Sequence, residues 1–490
     1  MAPKLTAPSV CLRCLARRNY SSSTKPSALP PHPLSSGATK LSNRRLIALH
    51  GQDASRFLQG ITTNNIRPGQ TTGFYSAFLN AQGRVLNDVF IYPSSHSSLY
   101  TNSLPASLSP DEPAYMIEVD AAEASKLVAH LKRHKLRAKV SIRAIEPGEW
   151  DVWSVWNEQD RWTPHAAPAS SPEPSSSNAS PDAGYKDTID TIGCPDSRAP
   201  GMGQRILLPH TDRPAILSTS ATPEASLTDY TIRRMLRGVA EGQREILRET
   251  SLPQESNIDY MGGIDFRKGC YTGQELTIRT HHTGVVRKRI LPVLLYDSSA
   301  LSSGTSPGGK SSSSSSSSAE ELQLQYDPST SSRLSLPPQG TNISRVNARG
   351  RSTGKYIAGV GNVGLALCRL EMMTDIVLTG ETGQWAPGTE FKLSWSSDAY
   401  GSSGETGEGA PHEQEHGRGR GQVGSEEEQR AEERKGEREE HEVRIKAFVP
   451  SWHPRGGGFK NHSSSSSSSL QSSSSPEPNP TALKQDEERA

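Results

Sequence analysis

The segment with the richest chemistry is centred on one cysteine. Cys270 follows Lys268 and lies between Gly269 and Gly273. The run from Gln274 to Thr280 can be helical or extended. If it is a helix, the positive end of the helix and the lysine charge together favour the nucleophilic or metal-binding thiolate. The two glycines let the backbone approach a ligand closely or adopt positive φ.

Polar side chains directly after the cysteine extend this candidate site. Glu275 can accept hydrogen bonds from exposed backbone N–H groups, and Gln274 can both donate and accept. The alternative is a glycine-bounded turn in which Cys270 is a small buried hydrophobe. The residue types alone leave both interpretations open.

The composition limits how much of the chain can fold. The protein has 490 residues, of which 32% are hydrophobic, and it contains long serine runs. The packed part is therefore considerably shorter than the chain. Lysine plus arginine total 54 against 53 for aspartate plus glutamate, a net charge of +1. This balance predicts no nucleic-acid partner.

The cysteines indicate a reducing compartment, and the hydropathy bears on membrane insertion. Five scattered cysteines suit free thiols in a reducing environment better than a disulfide framework. No stretch approaches the roughly 20 apolar residues needed to cross a bilayer, so no membrane insertion is expected.

The amino terminus has the composition of a targeting sequence. No acidic residue precedes Asp53, and the pair Arg17 and Arg18 is followed by three serines. This pattern is typical of a mitochondrial transit peptide and predicts delivery to the matrix. We expect residues 1–42 to be transit peptide and leader, with cleavage near Tyr20.

Periodic apolar residues predict a mixed α and β fold. Asp53 is expected to cap a helix that buries Ala54, Phe57, Leu58 and Ile61. Asn80 and Gly83 suit the turn of a hairpin. The predicted strands are Arg44–Leu49, Phe74–Leu79, Val85–Tyr92, Tyr115–Val119, Trp150–Trp156, Ile206–Leu208, Arg287–Leu295, Tyr356–Val360, Asp375–Leu378, Glu390–Trp395 and Val443–Val449, and the other predicted helices are Ala121–His134 and Tyr230–Val239.

Low-complexity segments divide the chain. We expect one domain over 43–286 with a disordered insertion at about 157–197, and a small C-terminal β-barrel over 287–455 with insertions at about 298–352 and 396–441. Residues 456–490 are expected to be a disordered tail.

Several fragments in one order resemble a known family. The octet from Lys268 to Glu275 is similar to the signature of the folate-binding YgfZ proteins and their mitochondrial iron–sulfur counterparts, a branch of the glycine-cleavage T-protein (GcvT) family. Matching fragments around it are Asp53–Ala54 with Phe57–Gly60, Ala77–Arg84, Leu252–Glu255, Arg279 with Thr283–Arg289, and Gly361–Leu367 with Arg369.

This resemblance implies a T-protein-like α+β fold and an accessory role in [4Fe–4S] cluster assembly. The implied partners are A-type carrier proteins and client enzymes of the aconitase and lipoate-synthase types. Cys270 and Lys268 would be the functional residues, within a motif completed by Gly269, Tyr271, Gly273, Gln274 and Glu275.

The resemblance also bears on cofactors. A cubane cluster usually takes four cysteine ligands, so a cluster on Cys270 would be transient and shared with a partner, and no tightly bound cofactor is expected. The family further suggests a tetrahydrofolate-shaped cavity in the first domain, with Arg84 and Asp88 as its candidate contacts.

Other functions remain open from the sequence. A tetrahydrofolate-dependent one-carbon transferase could use Asp88 as a base, although Asn87 stands where enzyme members carry a second aspartate. Gly359–Gly364 fits the dinucleotide pattern G-x-G-x-x-G, with Glu381 near the expected acid position, but the sequence leaves little room for the required helix. A cysteine hydrolase using His281 or His282, and a scaffold without chemistry, are further alternatives.

Overall fold

β-Strands are the main regular secondary structure of this protein. The computed structural model describes residues 31–105, 108–158, 191–219, 223–297, 322–346, 351–378, 385–396 and 440–455. In these ranges the strands are β1 (Ser36–Lys40), β2 (Arg44–His50), β3 (Phe74–Leu79), β4 (Val85–Pro93), β5 (Ala114–Asp120), β6 (Ser141–Ala144), β7 (Trp150–Asn157), β8 (Ile192–Pro195), β9 (Gln204–Pro209), β10 (Lys288–Tyr296), β11 (Asn342–Arg345), β12 (Gly354–Val360), β13 (Val363–Arg369), β14 (Phe391–Ser396) and β15 (Glu440–Ala447).

Short helices connect these strands. They are α1 (Ala54–Ile61), α2 (Ser98–Thr101), α3 (Ala124–Lys135), α4 (Ile216–Thr219), α5 (Leu227–Leu236), α6 (Gln274–Thr283), α7 (Pro328–Ser331) and α8 (Leu370–Met373), with a 3₁₀ turn at Ala121–Glu123. Among the residues described, no helix combines the length and apolarity needed to span a membrane.

The strands form two open sheets and one closed barrel. The five-stranded sheet has the order β3-β4-β5-β2-β6, and the four-stranded sheet has the order β1-β7-β9-β8. The barrel closes in the order β10-β13-β12-β11-β14-β15. The predicted α+β class with a C-terminal β-barrel is confirmed.

The five-stranded sheet buries both of its faces. On one face, α1 and α3 pack through Phe57, Leu58 and Leu127 against the sheet. The other face belongs to a core that reaches the four-stranded sheet, with Phe90 on β4 and Leu207 on β9 as members. Alternation along β4 therefore sends successive side chains into two different cores.

A buried ion network lies between the two open sheets. Its members, all with fully buried side chains, are Arg44, Asp88, Glu118, Asp196, Arg198, Arg205 and Glu241. Arg205 on β9 contacts Glu118 on β5 and Glu241, which ties the sheets together. Burial opposes ionisation of Glu241, yet Arg205 and Arg198 hold its pKa well below the ordinary value.

The glycine-rich dinucleotide pattern is a barrel hairpin. Gly359 pairs with Gly364 across β12 and β13, and Gly361 in the turn has φ +59°. A Cβ at Gly364 would lie 2.6 Å from the carbonyl oxygen of Ala358, so close strand contact explains this glycine. The predicted acid Glu381 lies outside the described residues.

Two local predictions are wrong. Asp375–Leu378 is not a strand, because it follows α8 directly and its N–H groups at Ile376 and Leu378 bond to side chains. Asp53 precedes α1 without capping it, since its carboxylate accepts instead from the backbone N–H of Lys139 at 2.7 Å.

Several segments expected to be linker or leader contain strands. β1 lies in the predicted leader, β8 in the first predicted insertion and β11 in the second. β1 pairs with β7, and β11 pairs with β12 and β14 in the barrel. Tertiary pairing fixes these short strands despite polar surroundings. The predicted cleavage site near Tyr20 lies outside the described residues, as do residues 298–321 of the second predicted insertion, residues 397–439 of the insertion predicted at about 396–441, and the tail.

Replacing Arg205 tests whether the buried ion network holds the sheets. Arg205→Met leaves carboxylates buried without their partner, so we expect a loss of about 3–5 kcal/mol in the free energy of unfolding. Urea denaturation measures it. Arg213→Met, which breaks an exposed pair with Glu224, is the control and should cost at most about 1 kcal/mol. Equal losses in the two variants would contradict this role.

Candidate functional site

The loop that carries the cysteine is fastened at both ends. We call residues 265–273 the cysteine loop. At its start, the N–H of Asp265 donates to the carbonyl oxygen of Thr63 at 3.1 Å. At its end, the N–H of Thr272 donates to the carbonyl oxygen of Gly60 at 3.1 Å. Both anchors lie at the carboxyl end of α1, so the loop is positioned by this helix.

Lys268 strengthens the same attachment. Its ammonium group donates to the carbonyl oxygens of Gln59 (2.9 Å), Thr62 (2.6 Å) and Asn64 (3.0 Å). Three carbonyls use all three donors of the ammonium group and satisfy acceptors at the end of α1. Burial lowers the pKa of Lys268 to about 8. The geometry makes Lys268 a positioning residue for the loop.

Tyr271 and Gln274 close the loop onto α6. The N–H of Tyr271 donates to the side-chain oxygen of Gln274 at 3.2 Å. The Tyr271 ring is buried, and the Lys268 ammonium lies 4.8 Å from the ring centre. Burial raises the pKa of Tyr271 above its ordinary value. The Tyr271 ring therefore belongs to the core beneath the loop and not to its surface.

Two glycines bring the cysteine loop against the β3–β4 hairpin. Gly273 has φ +80°, and a Cβ there would lie 2.2 Å from the carbonyl oxygen of Asn80. Gly83 has φ +78°, and its Cβ would lie 2.9 Å from the carbonyl oxygen of Gly273. A side chain fits neither position without displacing backbone. This contact joins two of the sequence fragments that carried the family resemblance.

Cys270 lies exposed between these anchors. The other described cysteines, Cys194 and Cys368, are buried, and burial raises the pKa of both thiols. The interpretation of Cys270 as a small buried hydrophobe is therefore wrong. Gly269 beside it is also exposed, and a Cβ there would meet no atom within 4 Å.

The motif continues into α6, which begins at Gln274. Of the two conformations that the sequence left open for this run, the structure has the helix. Glu275 in its first turn is exposed. His281 stacks on Phe266 with ring centres 3.7 Å apart, and burial lowers the pKa of His281. This stacking packs the far end of α6 against the start of the cysteine loop.

The two candidate folate contacts lie in different environments. Arg84 is exposed, and its guanidinium donates to the carbonyl oxygen of Thr250. Asp88 is fully buried, pairs with Arg44, and accepts from the N–H of Gly242 at 3.1 Å. Both side chains are already bonded within the protein, and a folate contact by either of them stays a prediction.

A cavity of about 350 Å³ lies beside the hairpin turn. We call it the hairpin cavity. Thr272 of the cysteine loop contributes to its wall. The other lining residues are Leu79, Asn80, Ala81, Leu86, His130, Arg133, His134, Arg248 and Glu249. The sequence analysis missed it, although two histidines four residues apart on α3 were a usable signal. Within the described ranges, no three His, Cys, Asp or Glu side chains are grouped to hold a metal ion.

Comparisons with known proteins identify close relatives. Residues 287–395 match the family model described as CAF17, C-terminal beta-barrel domain. The chain is 45% identical to "Iron-sulfur cluster assembly factor IBA57 homolog, mitochondrial" of Aspergillus oryzae, over 92% of this chain and 91% of that relative. The homolog of the same name in Neurospora crassa is 39% identical, over 91% and 88%.

A solved structure was also matched. The crystal structure of glycine cleavage system aminomethyltransferase T from Bartonella henselae is 12% identical, with a TM-score of 0.47, and the match covers 86% of this chain and 88% of that one.

Gly273→Ala tests the contact between the loop and the hairpin. Positive φ and the approach of the Asn80 carbonyl should together cost about 1–3 kcal/mol in the free energy of unfolding. Gly269→Ala, in the same loop but facing open space, should change it by less than about 0.5 kcal/mol. Urea denaturation measures the free energy of unfolding of both variants. Equal values would contradict the close contact between the loop and the hairpin.

Lys268→Met tests whether the lysine positions the loop. Three carbonyls lose their charged donor, so we expect the free energy of unfolding to fall by about 1–3 kcal/mol. Hydrogen exchange should quicken at the amides of Thr63, Asp265 and Thr272. Lys132→Met, at an exposed position on α3, is the matched control. Unchanged exchange in Lys268→Met would refute the positioning role.

Proposed function

This chain belongs to the family of mitochondrial iron–sulfur cluster assembly factors that its fungal relatives represent, and from this premise we propose that the cysteine loop carries its activity. The protein is mitochondrial, as its relatives are named. The function we propose is accessory to [4Fe–4S] maturation, for client enzymes of the aconitase and lipoate-synthase types. In this function the cluster is cargo and not a resident cofactor.

The exposure of Cys270 on an anchored loop carries this proposal. A thiol that receives or passes on a cluster must be reachable by a second protein, and Cys270 is exposed whereas Cys194 and Cys368 are buried. The backbone anchors at Thr63 and Gly60 hold the loop without enclosing the thiol. The loop thus presents Cys270 at a defined place on the surface.

One thiol can take part in cluster transfer by exchange of thiolate ligands. A [4Fe–4S] cluster usually takes four thiolates, so Cys270 supplies at most part of the ligand set and a partner supplies the rest. In each exchange an iron–sulfur bond to Cys270 forms while a bond to another thiolate breaks. The proton lost by the Cys270 thiol goes to the departing thiolate. No electron transfer is needed for this step.

An A-type carrier is the partner that this chemistry fits, because such a protein brings its own cysteine ligands. The cluster is then held jointly and released to the client, which agrees with a transient species. The remaining motif residues have supporting roles. Lys268 and Gly273 hold the loop against α1 and the hairpin, Gln274 caps the Tyr271 N–H, and Glu275 is exposed beside the loop.

The alternative of a tetrahydrofolate-dependent transferase has less support. Its candidate base, Asp88, already accepts from Gly242 and Gln243 and pairs with Arg44. A base engaged by these donors at full burial has no access to a substrate proton. The relatives are named as assembly factors.

Replacing Cys270 tests the proposal in cells. In a strain whose chromosomal copy carries Cys270→Ala, we expect aconitase activity and protein lipoylation to fall to the level of the deletion strain, because the shared ligand is lost. Abundance of the variant should be normal, since the side chain is exposed. A cluster-independent matrix enzyme serves as the internal control.

Two further strains sharpen the result. Cys270→Ser keeps the size of the side chain but is a poor iron ligand, so it should behave as Cys270→Ala does. Thr283→Ala, at the exposed far end of α6, should keep both activities. Normal aconitase and lipoylation in both cysteine variants would remove the thiol from the mechanism and leave a scaffold role.

A further inference from the structure

The hairpin cavity has the features of a binding site that the cluster chemistry does not use. It lies between the β3–β4 turn, α3 and the segment at Arg248 and Glu249. Its volume of about 350 Å³ falls at the lower end of the range of small-molecule sites. We propose that this cavity binds a small oxyanion, a carboxylate or phosphate compound, through Arg133, Arg248 and the histidine pair of α3.

The guanidinium groups give the lining a small excess of positive charge. The lining contains the guanidinium groups of Arg133 and Arg248 and the carboxylate of Glu249, which lies 3.7 Å from Arg248 Nε, together with the imidazoles of His130 and His134. Guanidinium and imidazole donors are the groups that bind carboxylate and phosphate oxygens most strongly in proteins. Leu79, Ala81 and Leu86 supply an apolar wall. This combination suits an anion with a small carbon skeleton.

Arg248 and Arg133 differ in how many bonds their side chains already form within the protein. Arg248 donates to the carbonyl of Leu86 at 3.1 Å and to Asn87 at 3.0 Å, which fixes its guanidinium in place. It also forms ion pairs with Glu123 at 3.6 Å and Glu249 at 3.7 Å, so its charge is largely engaged before any anion binds. Arg133 is exposed at the end of α3, and the structure shows no hydrogen bond or ion pair for its side chain among the described residues. A bound anion would give it a partner.

The pKa of His130 depends on the charges around the cavity. Its ring lies 4.2 Å from the ring of His134. Burial, together with the charges of His134, Arg248 and Arg133, lowers the pKa of His130 to about 4. Glu249 lines the cavity as well but is exposed to solvent. Since an anion stabilises protonated imidazole, occupancy of the cavity must raise the pKa of His130.

The backbone around the cavity is held in an unusual conformation. Glu249 has φ +59°, the left-handed region that favours glycine. Its N–H donates to the carbonyl oxygen of Val85 at 2.8 Å, which holds this segment against the hairpin. Strained residues of this kind occur often at ligand sites. This hydrogen bond keeps Arg248 and Glu249 beside the cavity.

The cavity is separate from the buried ion network. Leu86 belongs to the core on the α1 and α3 side of the sheet, whereas Asp88 lies in the network between the sheets. Thr272 connects the cavity with the cysteine loop, two residues beyond Cys270. The proposal stands independently of the cluster chemistry, because it depends only on these lining residues.

Histidine NMR on the full-length protein tests the proposal. The protein, labelled at its histidines, is titrated with sodium phosphate or with sodium citrate at constant ionic strength. We expect saturable shifts of the His130 and His134 signals with at least one probe, and a higher pKa for His130 in the saturated protein. The tighter of the two probes indicates whether phosphate or carboxylate is the preferred group.

Two variants make the result specific. Arg133→Gln removes one charge-assisted hydrogen bond and should weaken binding of the better probe about tenfold. Arg137→Gln makes the same change of charge at an exposed position four residues away, outside the lining, and should bind as the wild type does. Circular dichroism confirms that both variants are folded.

Three outcomes would overturn the proposal. One is the absence of saturable shifts with either probe. Another is equal weakening in Arg133→Gln and Arg137→Gln, which would show a general effect of surface charge. The last is saturation of the His130 and His134 signals by zinc chloride while both anions are inert, which would make the histidine pair a metal-binding element instead.

Discussion

The buried ion network between the two open sheets is the constraint on which the rest of the structure depends. Arg205 on β9 reaches Glu118 on β5 and Glu241 beyond α5, so three distant parts of the chain must arrive together before these charges are neutralised. A charge left unpaired at this depth is strongly destabilising. The network therefore penalises any packing of the two sheets that separates these partners, even though apolar residues would pack there with less desolvation.

From this network a series of contacts leads to the cysteine loop. Asp88 accepts from the N–H of Gly242, which fixes the segment after Glu241. Further along that segment, the carbonyl oxygen of Ser251 accepts from the N–H of Val85 at 2.9 Å and secures the hairpin. The hairpin turn then meets the cysteine loop where Gly83 approaches Gly273. The exposed thiol is thus positioned by contacts that begin in the deepest part of the core.

Local patterns predicted the elements and the motif, but not what joins them. The hairpin and α1 follow from turn residues and apolar spacing, whereas the residue types left the run that forms α6 open between helical and extended. β8 and β11 could not be foreseen, because they are short and exist only through pairing with distant strands. Lys268 was assigned to the chemistry of the thiol, whereas its partners are carbonyls about 200 residues earlier in the chain, which spacing does not reveal. The buried arginines gave no periodic signal.

The proposed function requires a loop that can hold a cluster for a short time and then release it. Backbone groups and Lys268 attach the loop to α1, and Gln274 and His281 attach it to α6, while Cys270 stays exposed. A protein that retained a cluster would surround it with its own thiolates, as the four-ligand rule requires. The described residues offer one exposed thiol, so in the proposed function the complete ligand set would exist only while a partner is docked. Departure of the partner would then release the cluster.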